Sequence, residues 1–477
     1  MSSLPRRTAT DFTFRLVEQA RWKSTDDHIR NTISGNRSAL FEKGAGMLRR
    51  PWCRPRPTST GNGARRIHVA DVEPDMSVGS GMTLACEAPG RLLELGKLRR
   101  ILVVKLDHIG DWVLATPFLR NLRTNAPAAK IDVVVNRAVL PLAVRCPDVD
   151  RALTIKRHAG GVSFDGLSPA DVAAFESDYD SRRFDLAIVP RWDVDFDGAA
   201  EIAERSRAPV VVGFSETCTE RKRLLNRGHD ALYTRVLHDR RLVHEVEHNL
   251  ALITALNGRI TTRRLSLDLT KSDQAAAARI LSPMREHRPL LAIAPFASEP
   301  KRCLPVELTA RLTAPLLGPL FGGAVIIGGM SDWLAGAKLA AELGDNAMSI
   351  AGRCGLGEAA AVIRNCHAMI ASDSGTAHIA AAVGTPVAVL SCHPVNGAPE
   401  HENSPLRFAP WAEPGGVLVL QPECAVLPCR DHCSATAPHC VIESPKHGTR
   451  RLYSFLQQAI EEPAFKATAA TALVRNS

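Results

Sequence analysis

The sequence predicts an α/β protein made of two doubly wound parallel sheets in tandem, and three observations carry that expectation. Short β-branched apolar runs alternate with helical stretches from Arg99 onward, as βα units around a buried parallel sheet do. The alternation pauses over a polar stretch at about 258–288 and restarts after Ser282, which implies two sheets and not one. Each half places a polar, glycine-containing turn directly after an apolar strand, the position at which ligands bind in such sheets.

In the first half, Ile101–Val104, Ile131–Val135, Leu186–Val189 and Val210–Phe214 read as strands. A helix is expected from Trp112 to Asn125, with apolar Val113, Leu114, Phe118, Leu119 and Leu122. In the second half, Leu290–Ala294, Ala324–Gly328 and Ser349–Ala351 read as strands. Pro305–Leu317, Trp333–Leu343 and Gly357–Asn365 read as helices between them. Ala368–Leu390 closes the series as strand, polar turn, small alanine-rich helix and strand. The implied domains are residues 98–270 and 285–455, followed by a tail at 456–477. Residues 1–97 read as a basic, disordered or loosely attached extension: Arg49–Arg66 is rich in Arg, Pro and Gly without helical or strand period, and Phe12–Val17 and Ala39–Leu48 are candidate short helices.

Composition narrows the function. The 477-residue chain carries a net charge of +9, which suits an acidic partner: a phosphorylated substrate, an anionic membrane surface or nucleic acid. A basic extension with scattered surface Lys and Arg explains the charge equally well. No apolar run is long enough to cross a bilayer, and no apolar core follows the basic N-terminus. A cytoplasmic location is therefore expected, and with it reduced cysteines. The dinucleotide fingerprint G-x-G-x-x-G is absent after the first strand, which argues against a nicotinamide enzyme.

Four motifs could carry chemistry. The first is the loop Asp107-His108-Ile109-Gly110-Asp111. Gly110 permits close backbone approach, and Asp111 falls at a helix start, either as a first-turn carboxylate favoured by the dipole or as a general base. The second is the loop after Ala294, which offers Ser298, Lys301 and Arg302. A hydroxyl and two cations suit a diphosphate, although a solvated basic loop has the same composition. The third is Asp373, Ser374, Gly375, Thr376 and His378, where free backbone N–H groups and a helix dipole favour an anion. Simple helix capping is the alternative. The fourth is Cys424, Cys429, Cys433 and Cys440, which suggest a small structural Zn or Fe site or, as readily, free thiols.

Taken together, the first-loop run Ile101–Arg120, the segment Pro295–Pro305 and the run Ser372–Pro386 resemble glycosyltransferase family 9, the ADP-heptose:lipopolysaccharide heptosyltransferases and their relatives. The resemblance spans about residues 99–455. It implies the two-domain GT-B fold, with two Rossmann-like domains facing a central cleft. It also implies an inverting transfer of a sugar, with ADP-heptose the leading donor, onto a lipopolysaccharide-core or related anionic glycolipid acceptor at the inner membrane surface. No cofactor is then needed for catalysis and no nucleic-acid partner is expected. By the same resemblance Asp111 is the base, Asp107, His108 and Gly110 belong to the acceptor loop, and Lys301 meets the donor diphosphate. The turn Asp373–His378 and its neighbours Ser298 and Arg302 complete the donor site. The sequence departs from the family pattern at Lys301-Arg-Cys-Leu-Pro305, where an aromatic residue is usual, and at Phe296-Ala-Ser298, where Gly-Ala-Ser is commoner. A sugar-nucleotide epimerase or hydrolase, or a non-catalytic glycan- or nucleotide-binding protein, fits the same phosphate-binding motifs.

Overall fold

The computed structural model describes residues 82–86 (backbone only), 93–158, 161–423, 432–446 and 448–461. Fourteen strands form two sheets among these residues. The first contains β1 (Met82–Cys86), β2 (Arg100–Lys105), β3 (Lys130–Val135), β4 (Arg151–His158), β5 (Gly161–Asp165), β6 (Leu186–Val189), β7 (Val210–Phe214) and β8 (Arg235–Asp239). Their order is β1-β8-β7-β6-β2-β3-β4-β5, parallel from β8 to β4, with antiparallel β1 and β5 at the two edges. The second contains β9 (Leu290–Ala294), β10 (Gly323–Ile326), β11 (Ala347–Ser349), β12 (Ala368–Ser372), β13 (Val387–Leu390) and β14 (Val417–Leu420). It is wholly parallel in the order β11-β10-β9-β12-β13-β14.

Both orders reverse direction at one point. The chain builds outward from β2 through β3 and β4, then returns to lay β6 on the other side of β2. It repeats the manoeuvre around β9, with β12 as the returning strand. The loops leaving β2 and β6, and those leaving β9 and β12, therefore diverge and leave a crevice at each switch point. Every site residue expected from sequence in the two switch-point motifs lies on one of these loops or on the helix start that follows.

The strands read correctly because they are buried on both faces. β6, β9, β12 and β13 are buried at every position, so hydrophobic burial of roughly 1.5–3 kcal/mol per large apolar side chain favours continuous apolar runs. A single cluster of buried residues extends from Ile101 and Val133 of the first sheet to Ala292 and Val389 of the second. The helix Gly375–Val383 owes its close packing to Ala377 and Ala380, both buried. It stops at Gly384, whose φ of 80° closes the last turn in a left-handed conformation.

Three expectations on boundaries change. The segment 1–97 was expected to lie outside the fold, but β1 pairs with β8 and Leu95 is buried in the core. The rest of that segment, residues 1–81 and 87–92, lies outside the described residues. The polar stretch 258–288 holds a helix, Lys271–Ile280, that buries only the small Ala276 and Ala277 beside Asp273. The division at 455 and 456 falls inside the helix Thr449–Glu461, whose Leu452, Leu456 and Ala459 cover the second sheet. Among the described residues no helix is long and apolar enough to cross a membrane.

Candidate functional site

The helix after β2 begins at Ile109, three residues earlier than its apolar pattern shows, so Asp111 sits in its first turn. The helix after β12 begins at Gly375. These two helix starts meet head to head. A methyl placed on Gly110 would lie 2.8 Å from the His378 ring, and one on Gly375 would lie 2.9 Å from Cβ and Cγ2 of Ile109. The glycines are there because no larger residue lets the first-domain loop touch the second-domain turn.

Around Asp111 lies a dense charge cluster. Lys105 Nζ binds Asp107 Oδ2 at 2.7 Å and donates to the Pro190 carbonyl at 2.9 Å. Arg191 Nη1 binds Asp107 Oδ1 at 2.5 Å and stands 3.7 Å from Asp111 Oδ1. Burial opposes ionisation of Asp107, yet Arg191 and Lys105 overcome it and hold the carboxyl at about 2. Asp111 goes the other way. Burial and then the neighbouring Asp107 charge raise it above the ordinary carboxylate range, against the pull of Lys105 and Arg191. Two carboxylates in one loop are thus driven apart, one a permanent anion and the other a proton acceptor with raised basicity. Asp111 makes no cap to its helix, and the N-cap His108 is exposed and offers no side-chain cap either.

On the facing side, Asp373 and Ser374 are buried, and Ser374 Oγ pairs with Thr376 Oγ1 at 2.8 Å. Burial raises Asp373, with Arg302 opposing. His378 Nδ1 is buried without a hydrogen-bond partner, and burial lowers the ring to about 3, so it is neutral near pH 7. Ser298 is exposed and accepts from Arg302 Nη2 at 3.0 Å. Arg302 Nε is buried and unpartnered. Lys301 is engaged on every side: Glu299 Oε2 at 2.8 Å, Glu402 Oε1 at 3.2 Å and the Cys433 carbonyl at 2.8 Å. Its ammonium is therefore shared among two carboxylates and a carbonyl, whereas Arg302 Nε has no hydrogen-bond partner.

Only half of the expected cysteine cluster lies among the described residues. Cys424 and Cys429 lie outside the described residues. Between Cys433 and Cys440 stands His439, with Nε2 at 3.2 Å from the Cys433 sulfur and Nδ1 at 2.9 Å from the Cys440 sulfur. The two sulfurs thus sit at opposite nitrogens of one ring, with the imidazole between them, and do not converge with it on one point as metal ligands do. Among the described residues no three His, Cys, Asp or Glu side chains converge so, and a structural Zn or Fe has no support.

Sequence reasoning missed Arg191, Glu402 and Arg407. Arg191 leaves β6 at the switch point, and that topological position is the signal that could have found it. Glu402 lies in an irregular segment after β13, and Arg407 lies on the helix Pro405–Phe408, whose four residues are too few to show a helical period.

Comparison with known proteins places this geometry. The family model described as glycosyltransferase family 9 (heptosyltransferase) matches residues 199–394. Lipopolysaccharide heptosyltransferase 2 of Escherichia coli strain K12 and that of Salmonella typhimurium are each 25% identical over 310 residues, covering 61% of this chain and 82% of theirs. Among solved structures, a glycosyl transferase family 9 protein from Veillonella parvula superimposes with a TM-score of 0.58 at 18% identity, over 77% of this chain and 99% of that one. The E. coli ADP-heptose LPS heptosyltransferase II superimposes with a TM-score of 0.54 at 22% identity, over 75% and 99%. The fold is shared with both.

Proposed function

From the premise that the chain belongs to glycosyltransferase family 9 and is a glycosyltransferase of GT-B fold, we propose that it transfers heptose from ADP-heptose to a lipopolysaccharide-core glycan, with Asp111 as base. The observation that carries this reading is the meeting of the two helix starts, which sets Asp111 opposite the turn Asp373–His378. An acceptor hydroxyl in the cleft gives its proton to Asp111 as it attacks the anomeric carbon. The sugar–phosphate bond breaks on the opposite face, and the leaving diphosphate gathers negative charge. The N–H groups opening the helix at Gly375 and Thr376, with Arg302 and Ser298, are aimed at that charge. Lys301 joins them by exchanging Glu299 for phosphate. Asp107 stays ionised and fixes Arg191 beside Asp111. The donor and acceptor are those by which the relatives are named, ADP-heptose and lipopolysaccharide, and both are anionic, as the chain's net charge of +9 would suit. Family membership favours transfer over epimerisation, hydrolysis or passive binding.

The test is a panel of nucleotide sugars with and without purified acceptor, read by mass of the product. Glycosylated acceptor, with no donor consumed in its absence, supports transfer. Donor consumption without acceptor points instead to a hydrolase or epimerase.

A further inference from the structure

Arg407, on the short helix Pro405–Phe408 of the second domain, is wholly buried and belongs to no motif of the donor turn. Its Nη1 donates to Asp193 Oδ2 at 2.9 Å and to the Glu400 carbonyl at 3.2 Å, and Nη2 donates to Glu245 Oε1 at 2.8 Å. The guanidinium lies 4.7 Å from the centroid of the Trp192 ring and 4.6 Å from that of Phe408. Both carboxylates belong to the first domain. Asp193 is on the loop leaving β6, two residues after Arg191, and Glu245 opens the helix Glu245–Ala255.

These acids are competitors for Arg191. Asp107, Asp111, Asp193 and Glu245 all act on its guanidinium, and among the described residues the Lys and Arg side chains in ion pairs with the four are Lys105, Arg191 and Arg407. Lys222, also buried, spends its ammonium on the carbonyls of Arg191, Trp192 and Phe214 and pins the loop by its backbone. A buried carboxylate left without its partner is costly and draws the nearest cation. Here that cation is Arg191.

We propose that Arg407 is a positioning residue: by occupying Asp193 and Glu245 from across the cleft, it leaves Arg191 to Asp107 and Asp111. The second domain thereby completes the charge arrangement of the first-domain loop when the two are docked. This inference rests on the reading of Asp111 as base. The groups that face Asp111 are Asp107, Lys105, Arg191 and Glu245 from the first domain, with Arg302 and Asp373 from the second. Removing Arg407 leaves Asp193 and Glu245 without their partner, and Glu245 is one of the charges that already oppose ionisation of Asp111. Ionising Asp111 then becomes harder.

Three variants of the full chain test this. Arg407→Gln lowers kcat at least tenfold, leaves donor affinity by calorimetry within twofold, and moves the acid limb of kcat/KM upward by about one pH unit. Arg407→Lys, which keeps the charge but not the two-pronged reach, falls between Gln and the parent. Adding Asp193→Asn and Glu245→Gln to Arg407→Gln removes the competitors and returns the limb to within a few tenths of the parent. An Arg407→Gln or Arg407→Lys limb that stays in place overturns the proposal, as does a triple variant as impaired as the single one. The Asp111 carboxyl titration, followed by carbon NMR in the parent and in Arg407→Gln, is independent of turnover. If that titration moves while Asp111→Asn retains activity, the base reading fails and the Arg407 inference stands. If the titration does not move, the inference fails whatever Asp111 does.

Discussion

Gly375→Ala drives a methyl carbon to 2.9 Å from Cβ and Cγ2 of Ile109 and 3.4 Å from the Gly110 nitrogen. Carbons rest at about 3.5–4.0 Å, so both carbon contacts are short by more than half an ångström. One of the crowded atoms is a Cβ and another is backbone, so no rotamer change relieves the clash. The two helix starts must separate. Overpacking of this kind costs about 1–3 kcal/mol, which is a factor of about 5 to 150 in the population of the docked arrangement. If chemistry needs that arrangement, kcat/KM falls by the same factor. Helix propensity works in the opposite direction, because Ala is favoured over Gly by about 1 kcal/mol in a helix. The assay is steady-state transfer with purified donor and acceptor, beside circular dichroism to show that the helices are intact. Ile109→Gly in the same chain removes both carbon contacts and recovers most of the loss, with Ile109→Gly alone as control. Gly375→Ala with kcat/KM within twofold of the parent would refute the claim that this contact matters to catalysis.

Other predictions come from the charge cluster and the helix junctions. Asp111→Asn lowers turnover by about 10²–10⁴ with donor affinity within twofold; near-normal turnover would remove Asp111 as base. Because Asp111 is raised and a base must be ionised, kcat/KM is lost as pH falls through a value above the ordinary carboxylate pKa of about 3.9; a limb at or below that value contradicts its environment. The fold outlasts this loss, since Asp193 and Glu402 are each held at about 2 despite burial, by Arg407 and Lys301 respectively. Their contribution is present above the ordinary range and disappears only as pH falls toward about 2, so ellipticity persists where activity has gone. Asp273→Ala breaks both its pair with Arg145 and the capping box with Thr270, and costs about 2–4 kcal/mol in urea unfolding against about 1 for Thr270→Ala; equal losses would show that the pair with Arg145 contributes nothing.

The second sheet was legible as far as β13, though not β14 or the helices Pro405–Phe408 and Thr449–Glu461 beyond it, and the reason is burial. Strands β9, β12 and β13 have both faces covered, so their apolar runs are unbroken and their ends abrupt. The hairpin β4–β5 escaped notice because it is an edge, half exposed, with Lys156, Arg157 and His158 at its turn. β8 is short and ends in polar residues, and β1 follows a segment whose composition hides it. The helix Lys271–Ile280 reads as a polar linker because small alanines and a bonded carboxylate fill its buried side. The site divides along the same line. Local motifs place Asp111, Ser298 and the Asp373–His378 turn on post-strand loops, since a loop's position is set by the strand before it. What each charge touches is set by the other domain or by a distant strand, and no periodicity encodes that. Lys301 shows the difference: its loop was found, but not Glu402, which holds it.

Docking is also what makes the cleft's chemistry consistent. In a separated first domain, Asp193 and Glu245 lose Arg407, and Arg191 has four carboxylates to serve. In a separated second domain, Glu402 keeps Lys301 but loses Arg221, Arg302 loses the Asp111 field, and Arg407 loses both its carboxylates. Each side carries a charge imbalance that the other corrects, and the contact that brings them together is the glycine-lined meeting of Ile109 with Gly375. A base of raised basicity and a row of anion-directed N–H groups are useful only when opposed across a dry gap, because water levels the first and screens the second. If the proposed roles hold, reactivity is tied to docking: with Arg407 on Asp193 and Glu245, Arg191 stays with Asp107 and Asp111, and a domain-separated form would lose activity before it loses its fold.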